Sequence, residues 1–215
     1  KLDELVSLSD VVVEAASQKA VPAIARAALV AGKKLMIMSV GALANGELFS
    51  EIKALAKEHG ARVYLPSGAI SGLDGLKSAS IGTIRSVTLT TTKNPAGLAG
   101  APYIRENNID LDALVGATQI FEGSALQAVK AFPANVNVAA TLFLAAGGSE
   151  VRVRIVADPN IHVNRHEIIV DGSFGRITTL VENVPSPRNP KTSYLAALSA
   201  IATLRSIVEP VKIGT

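Results

Sequence analysis

The first third of the chain repeats one pattern, in which an apolar, β-branched run is followed by an amphipathic helical stretch. The apolar runs are centred near residues 12, 37 and 64, and helical spacing fills the two intervals between them. Continuous apolar strands that alternate with helices are typical of a parallel sheet covered on both faces. We therefore predict a β-α-β-α-β unit, with Pro22 in the first turn of one helix and Asn45 as the N-cap of the next.

Each predicted strand of this unit ends in small residues. The three ends are Ala15-Ala16-Ser17, Ser39-Val40-Gly41 and Ser67-Gly68-Ala69. In open parallel sheets, ligands bind beyond the carboxyl ends of the strands, and small side chains let a flat ligand approach the backbone. This edge is a candidate ligand site that includes Ala16, Ser39 and Gly41. Ordinary strand-to-helix turns are the alternative interpretation.

Residues 76–215 follow a different pattern. Strands are expected at 87–92, 151–156, 167–170 and 176–181, and the chain should close with a helix over 192–208. The predicted fold class is α/β, with the C-terminal part of a Rossmann-type parallel sheet followed by an α+β domain whose sheet is mostly antiparallel. We expect domains at 1–75 and 76–215, with the last helix able to pack back on the first.

No phosphate-binding glycine motif of a dinucleotide fold occurs, neither G-x-G-x-x-G nor G-x-x-x-x-G-K-[ST]. Such glycines follow the first strand of the fold, and the three predicted strands look like its second half. The chain begins at Lys1 and its first methionine is Met36. We therefore expect a Gly-rich βαβ segment upstream of Lys1, without which the cofactor should bind weakly.

The composition excludes several classes of function. The chain has no cysteine, which removes disulfides, thiolate nucleophiles and Cys-based metal sites. The net charge of +3 on scattered Lys and Arg does not indicate a nucleic-acid surface, and no apolar run approaches a membrane span of about 18 residues. No signal-peptide pattern opens the chain, so we predict a cytoplasmic protein.

Two of the three histidines are four residues apart, His162 and His166. In an extended segment, four residues span about 13 Å, too far for one metal ion, so we predict no metal site. His166 lies where a loop is predicted to join a strand. An imidazole titrates near neutral pH, which makes His166 a candidate general base, with a purely structural histidine as the alternative.

Two helix starts carry further candidates. Asn135 and Asn137 open an apolar helical run, either as capping residues or as amides at a ligand edge. The stretch 189–193 opens the last helix, where backbone N–H groups and Lys191 would form an anion site. A solvated cap with an exposed lysine is the alternative.

Six short motifs occur in one order over nearly the whole chain. They are VVEAASQ at 12–18, SGAISGLD at 67–74, FEGSA at 121–125, FPANVNVAA at 132–140, HEI at 166–168 and NPKTS at 189–193. In these motifs the chain resembles the L-aspartate dehydrogenases of archaea and some bacteria. The resemblance implies NAD- or NADP-dependent oxidative deamination of L-aspartate to iminoaspartate. Iminoaspartate would hydrolyse to oxaloacetate and ammonia or feed quinolinate and NAD synthesis.

The resemblance also implies roles for particular residues. His166 corresponds to the catalytic acid/base, and Ala69 and Asn137 match positions that contact the cofactor. Lys191, Thr192 and Ser193 fall in a stretch expected near the substrate carboxylates, which need cationic or N–H partners. A homodimer is expected, because antiparallel sheets of such second domains often pack face to face.

Two other hypotheses about the function stay open. A related two-domain reductase, such as dihydrodipicolinate reductase or homoserine dehydrogenase, would share the architecture and act on a different substrate. A non-catalytic oligomerisation or ligand-binding remnant would explain the missing glycines. His166 and Asn137 argue against a remnant, because it would need neither of them.

Overall fold

The computed structural model describes residues 1–133, 137–187 and 192–214. The chain forms two compact units, Lys1–Pro66 and Ser67–Thr215. In the part of the chain that the structure describes, no helix is both long enough and apolar enough to cross a bilayer.

The first unit is the predicted β-α-β-α-β series, preceded by a short helix. Its elements are α1 (Leu2–Ser7), β1 (Val11–Glu14), α2 (Val21–Val30), β2 (Lys34–Ile37), a 3₁₀ turn (Val40–Ala44), α3 (Gly46–Glu58) and β3 (Val63–Tyr64). The strands form a parallel sheet in the order β1-β2-β3. Val12 pairs with Leu35, which in turn pairs with Val63. The parallel sheet expected from the apolar runs is confirmed.

Local sequence sets the ends of the helices in this unit. Pro22 lies in the first turn of α2, where its missing N–H is not needed. The Asn45 side chain accepts hydrogen bonds from the backbone N–H groups of Glu47 (3.0 Å) and Leu48 (3.2 Å), which caps α3. Gly60 follows α3 with a φ of 64°, a left-handed conformation that favours glycine.

The second unit is an α+β structure built on a five-stranded sheet. Its elements are α4 (Leu73–Ala79), β4 (Ile84–Lys93), a 3₁₀ turn (Pro95–Gly97), α5 (Pro102–Glu106), β5 (Thr118–Ser124), α6 (Ala125–Ala131), α7 (Asn137–Ala145), β6 (Val151–Ala157), β7 (Asn164–Gly172), β8 (Gly175–Asn183) and α8 (Tyr194–Val208). The strand order is β5-β6-β4-β7-β8. Only β4 and β6 run parallel, and the other three pairs are antiparallel, so the predicted mostly antiparallel sheet is confirmed.

One face of this sheet packs against helices, and we call it the inner face. Its residues are Val87, Leu89, Thr91 and Lys93 of β4, Val151, Val153, Ile155 and Ala157 of β6, Asn164, His166, Ile168 and Val170 of β7, and Ile177, Thr179, Val181 and Asn183 of β8. Most of them are buried, and the alternate residues are mostly more exposed. The period of two follows from the pleat of a strand, which sends successive side chains to opposite faces.

An aromatic cluster closes the core beside β5. The rings of Tyr103, Phe121 and Phe132 lie with their centroids 5.2–5.6 Å apart, two of the three pairs edge to face. Edge-to-face contact is the favoured arrangement of aromatic rings, and it adds to the burial of their apolar area. The cluster joins α5, β5 and the end of α6 into the same core as the sheet.

Several elements differ from the sequence-based expectation. The short elements α1, α4, α5 and β5 were not predicted. Strand β7 begins at Asn164, so His166 is the third residue of a strand and does not lie at the junction of a loop and a strand. The strand starts earlier because Asn164 and Arg165 complete the ladder with Asn183 and Glu182 of β8.

Candidate functional site

A buried carboxylate organises the carboxyl edge of the first unit's sheet. Glu14 ends β1 and is only 1% exposed. Its Oε1 accepts hydrogen bonds from the backbone N–H groups of Ala16 (2.8 Å) and Ser17 (3.0 Å) and from the Ser39 hydroxyl (2.9 Å). Its Oε2 accepts the Ser39 backbone N–H at 3.0 Å. Four hydrogen bonds satisfy the charge, and they tie the turn after β1 to the turn after β2.

The structure therefore brings two of the predicted edge residues, Ala16 and Ser39, onto one carboxylate. Gly41 is buried in the 3₁₀ turn that Ser39 opens. Ala15 and Ala16 are exposed beside this network. The Glu14 carboxylate is occupied by hydrogen bonds from the two turns. The groups that this edge exposes to a ligand are therefore small side chains and backbone.

The turn that contains Ala69 belongs to the second unit and is held from two sides. The Asn183 side-chain amide, at the end of β8, donates a hydrogen bond to the Ala69 carbonyl at 2.9 Å. The Gly68 backbone N–H donates to the Ser199 hydroxyl of α8 at 3.0 Å. Asn183 is 3% exposed, and its buried amide is satisfied by this hydrogen bond, which holds the turn in place.

His166 lies on the inner face beside Thr91. The two residues are directly opposite each other in β7 and β4, and Thr91 Oγ1 lies 3.0 Å from His166 Nδ1. His166 is 2% exposed and Thr91 is 6% exposed. When Nδ1–H donates to Oγ1, the lone pair of Nε2 is left to accept a proton from another group.

The surroundings of His166 keep the imidazole neutral. Burial and, to a smaller extent, the positive charge of Lys93 together lower its pKa to about 3. A neutral imidazole is the form that accepts protons, so the ring is held in the state of a base throughout the physiological range.

Lys93 is a site residue that the sequence analysis missed. It ends β4 two residues after Thr91, on the same inner face, and it is 7% exposed. Burial lowers the pKa of its ammonium group to about 8. A signal was present in the sequence, because the alternation Val87, Leu89, Thr91 places residue 93 on the apolar face.

The other predicted candidates of the second unit lie around this group. Asn137 is the first residue of α7, and the next two residues line a small cavity together with Thr91. Ser193 is buried at the start of α8, with its hydroxyl 3.4 Å from the Asn164 side-chain amide. Thr192 is exposed, and its carbonyl accepts the Ser186 N–H at 2.8 Å.

Three further expectations concern residues near this site. Asn135, a candidate helix cap, and Lys191, a candidate substrate ligand, lie outside the described residues. His162 is exposed in the loop before β7. Over the described ranges, no group of three or more acidic residues or histidines could hold a metal ion.

Comparison with known proteins gives matches over both units. Residues 74–207 match the family described as "Aspartate dehydrogenase, C-terminal", and residues 1–66 match "Homoserine dehydrogenase, NAD binding domain". L-aspartate dehydrogenases of Methanocella arvoryzae and Methanosarcina acetivorans are 59% and 58% identical over the whole chain, which covers 80% of each relative. The crystal structure of aspartate dehydrogenase from Thermotoga maritima superposes with a TM-score of 0.78 at 33% identity. It matches over 95% of this chain and 78% of that one.

A more distant structure shares the fold alone. A hyperthermophilic archaeal homoserine dehydrogenase in complex with NADPH aligns with a TM-score of 0.55 at 13% identity, over 95% of this chain and 75% of that chain.

Taken with the parallel unit and the buried, neutral histidine, the matches define an oxidoreductase of the two-domain dehydrogenase class. The chain belongs to the aspartate dehydrogenase family.

Proposed function

We propose that the protein catalyses the oxidative deamination of L-aspartate with NAD or NADP. The substrate loses a hydride from Cα and a proton from its amino group, which gives iminoaspartate. Water then converts the imine to oxaloacetate and ammonia. The observation that carries the proposal is the neutral His166, fixed by Thr91 at Nδ1, in a chain of this family.

The carboxyl edge of the first unit fits a dinucleotide. Ala16 and Ser39 present small side chains and backbone there, which suits a flat ring and a ribose, and Gly41, also proposed as a cofactor contact, is buried in the adjoining 3₁₀ turn. Glu14 is saturated by its own turns and adds no free negative charge against the phosphates. When bound, NAD or NADP supplies the hydride acceptor, carbon 4 of the nicotinamide ring. Ala69 and Asn137 are proposed as cofactor contacts from the family resemblance alone.

His166 is the proposed catalytic base. Its Nε2 takes a proton from the substrate ammonium group, so that the nitrogen lone pair can form the C=N bond as the hydride leaves Cα. After that proton has passed to solvent, the same nitrogen takes a proton from the water that attacks the imine and returns it to the amino group that leaves as ammonia. Thr91 holds the ring orientation and tautomer through both steps, and it is a positioning residue.

The start of α8 is the proposed neighbour of the substrate carboxylates. Ser193 does not cap its own helix, because no hydrogen bond from its side chain to the helix start is formed. The N–H groups of Tyr194 and Ala196 are already bonded to the carbonyls of Val184 and Ser193, so this part of the proposal rests on the resemblance of the stretch 189–193. Thr192 and Lys191 complete the set proposed from the resemblance.

Four features go beyond the chemistry of the site. We propose a homodimer that forms through the face of the five-stranded sheet opposite the inner face, because the helices α6 and α7 pack on the inner face. Three further points stay predictions: the division into cofactor and substrate domains near residue 76, the supply of iminoaspartate to NAD synthesis, and the cytoplasmic location.

A substrate panel in the reductive direction tests the proposal. NADH or NADPH, ammonia and a series of oxo-acids are supplied, and oxidation of the cofactor is followed. Oxaloacetate should be the preferred substrate. Turnover confined to another oxo-acid, or to aspartate semialdehyde or dihydrodipicolinate without ammonia, would replace the proposal with the reductase alternatives. No turnover of any substrate would favour the binding-module alternative.

A further inference from the structure

Lys93 is a buried cation whose position is fixed by the fold. It is the last residue of β4, and its side chain lies on the inner face with 7% exposure. The stem packs over the following 3₁₀ turn, where a Cβ added at Gly97 would lie 3.9 Å from Lys93 Cδ. The backbone carbonyl of Lys93 accepts the Asp158 N–H at 2.9 Å, which anchors the strand end to the loop after β6.

Burying an ammonium group is costly, and the cost is commonly found at functional sites. Thr91 is paired with His166 across β4 and β7, and Lys93 follows Thr91 by two residues on the same inner face, so the two groups are neighbours on that face. The positive charge of Lys93 contributes to lowering the pKa of the imidazole.

Lys93 is the one lysine, arginine, aspartate or glutamate on the inner face of the strands β4, β6, β7 and β8, all four of which lie wholly within the described residues. Arg165 and Glu167 of β7 and Glu182 of β8 alternate to the opposite face, where Arg165 and Glu182 pair with each other. Helix α7 carries no charged residue. A ligand that enters here meets a cation beside a neutral base.

We infer that Lys93 binds a carboxylate of the dicarboxylate substrate, next to the base His166. The inference rests on the proposed function and adds a substrate ligand that lies outside the stretch 191–193. An ammonium group and a carboxylate form a charge-assisted hydrogen bond, which is strong in a buried site. A bound carboxylate also offsets the field of Lys93 at His166. Substrate binding then makes the imidazole a stronger base at the moment when it is needed.

The test uses succinate, which carries two carboxylates and no amino group to oxidise. Binding is measured by titration calorimetry with the wild type and with Lys93→Met, which keeps most of the stem and removes the charge. Lys93→Met should bind succinate about 10- to 150-fold more weakly, the range of a hydrogen bond to a charged group. Lys93→Arg should retain most of the affinity. Lys130→Met, at an exposed site on α6, is the matched control and should bind as the wild type does.

Steady-state kinetics separate this inference from the proposed function. In Lys93→Met the KM for aspartate should rise by a similar factor. The acid limb of kcat/KM should move to higher pH, because the field that lowers the pKa of His166 is gone. A lysine with a purely structural role would leave the KM for aspartate unchanged. Equal succinate affinity and equal KM in wild type and Lys93→Met would overturn the inference while aspartate turnover stands. A wild type without aspartate turnover would overturn the proposed function, and Lys93-dependent succinate binding would still support the anion site.

Discussion

The hydroxyl of Thr91 fixes the orientation and tautomer of the His166 imidazole. A histidine has two ring nitrogens, and the partner of one decides the role of the other. Here Nδ1 is 3.0 Å from Thr91 Oγ1. We therefore assign proton transfer to Nε2 and orientation of the ring to Thr91.

Replacing Thr91 by valine tests that assignment. Thr91→Val keeps the shape and removes the oxygen, so the imidazole loses its fixed tautomer. We expect kcat to fall by about 5-fold, in line with the loss of one hydrogen bond of about 1 kcal/mol, with KM little changed. Thr91→Ser should restore most of the rate. A valine variant with wild-type kcat would remove Thr91 from the mechanism.

The buried imidazole also makes stability depend on pH. The pKa of His166 is about 3 in the folded protein and near 6.5 in an unfolded chain. Between these values the unfolded state binds more protons, so the free energy of unfolding falls as the pH drops from about 6.5 towards 3. The slope from this group approaches about 1.4 kcal/mol per pH unit. Lys93 stays charged over this window, because the pKa of its ammonium group is about 8, and it adds no slope.

Urea unfolding at several pH values measures this slope. His166→Asn should lose much of the acid-side decline that the wild type shows. His59→Asn, exposed at the end of α3, is the control and should decline as the wild type does. Equal slopes in wild type and His166→Asn would mean that His166 is not buried neutral.

The role of Lys93 illustrates what a single sequence leaves open at this scale. Strand alternation places residue 93 on the apolar face, and that much can be worked out from spacing. Lys93 lies near His166 because β4 pairs with β7. The paired residues Thr91 and His166 are 75 residues apart in the sequence. No local pattern contains that register. His166 was found because its residue type and the motif around it are distinctive.

At the scale of elements, the ends of β1 and β2 are coupled through Glu14. Glu14→Gln keeps the size of the side chain and replaces one acceptor oxygen by an NH₂ group that faces backbone N–H donors. We expect a loss of about 1–3 kcal/mol in the free energy of unfolding and a higher KM for the cofactor. Glu51→Gln breaks an exposed ion pair with Arg26 and should change stability little. A Glu14→Gln variant with the wild-type urea midpoint would contradict the coupling.

The elements that the sequence predicts well are those with strong local signals. The helix α3 has both a side-chain cap at Asn45 and a glycine after its end, and its bounds match the expectation closely. Strand β5 was missed because its pairing with β6 shifts register between Gln119 and Phe121, which breaks the alternation. The short helix α5 has too few turns to show a period. Its place is set by the packing of Tyr103 on Phe121 and Phe132.

At the scale of the whole molecule, the outer face of the five-stranded sheet is the proposed dimer surface. Leu180 of β8 lies on that face opposite Glu167 and is 57% exposed. Sedimentation equilibrium should give twice the mass of one chain for the wild type and a monomer for Leu180→Glu. Leu8→Glu, at an 83% exposed leucine of the first unit, should stay dimeric. A monomeric wild type would contradict the dimer.

The central claim is that this chain deaminates L-aspartate through His166. The most direct measurement supplies L-aspartate with NAD or NADP and follows ammonia and reduced cofactor together, for the wild type and for His166→Asn. We expect the wild type to form ammonia and reduced cofactor in equal amounts. In His166→Asn, kcat/KM should fall by about 10²- to 10⁴-fold, the usual contribution of a general base. Undiminished deamination by a folded His166→Asn, or no deamination by the wild type, would contradict the central claim.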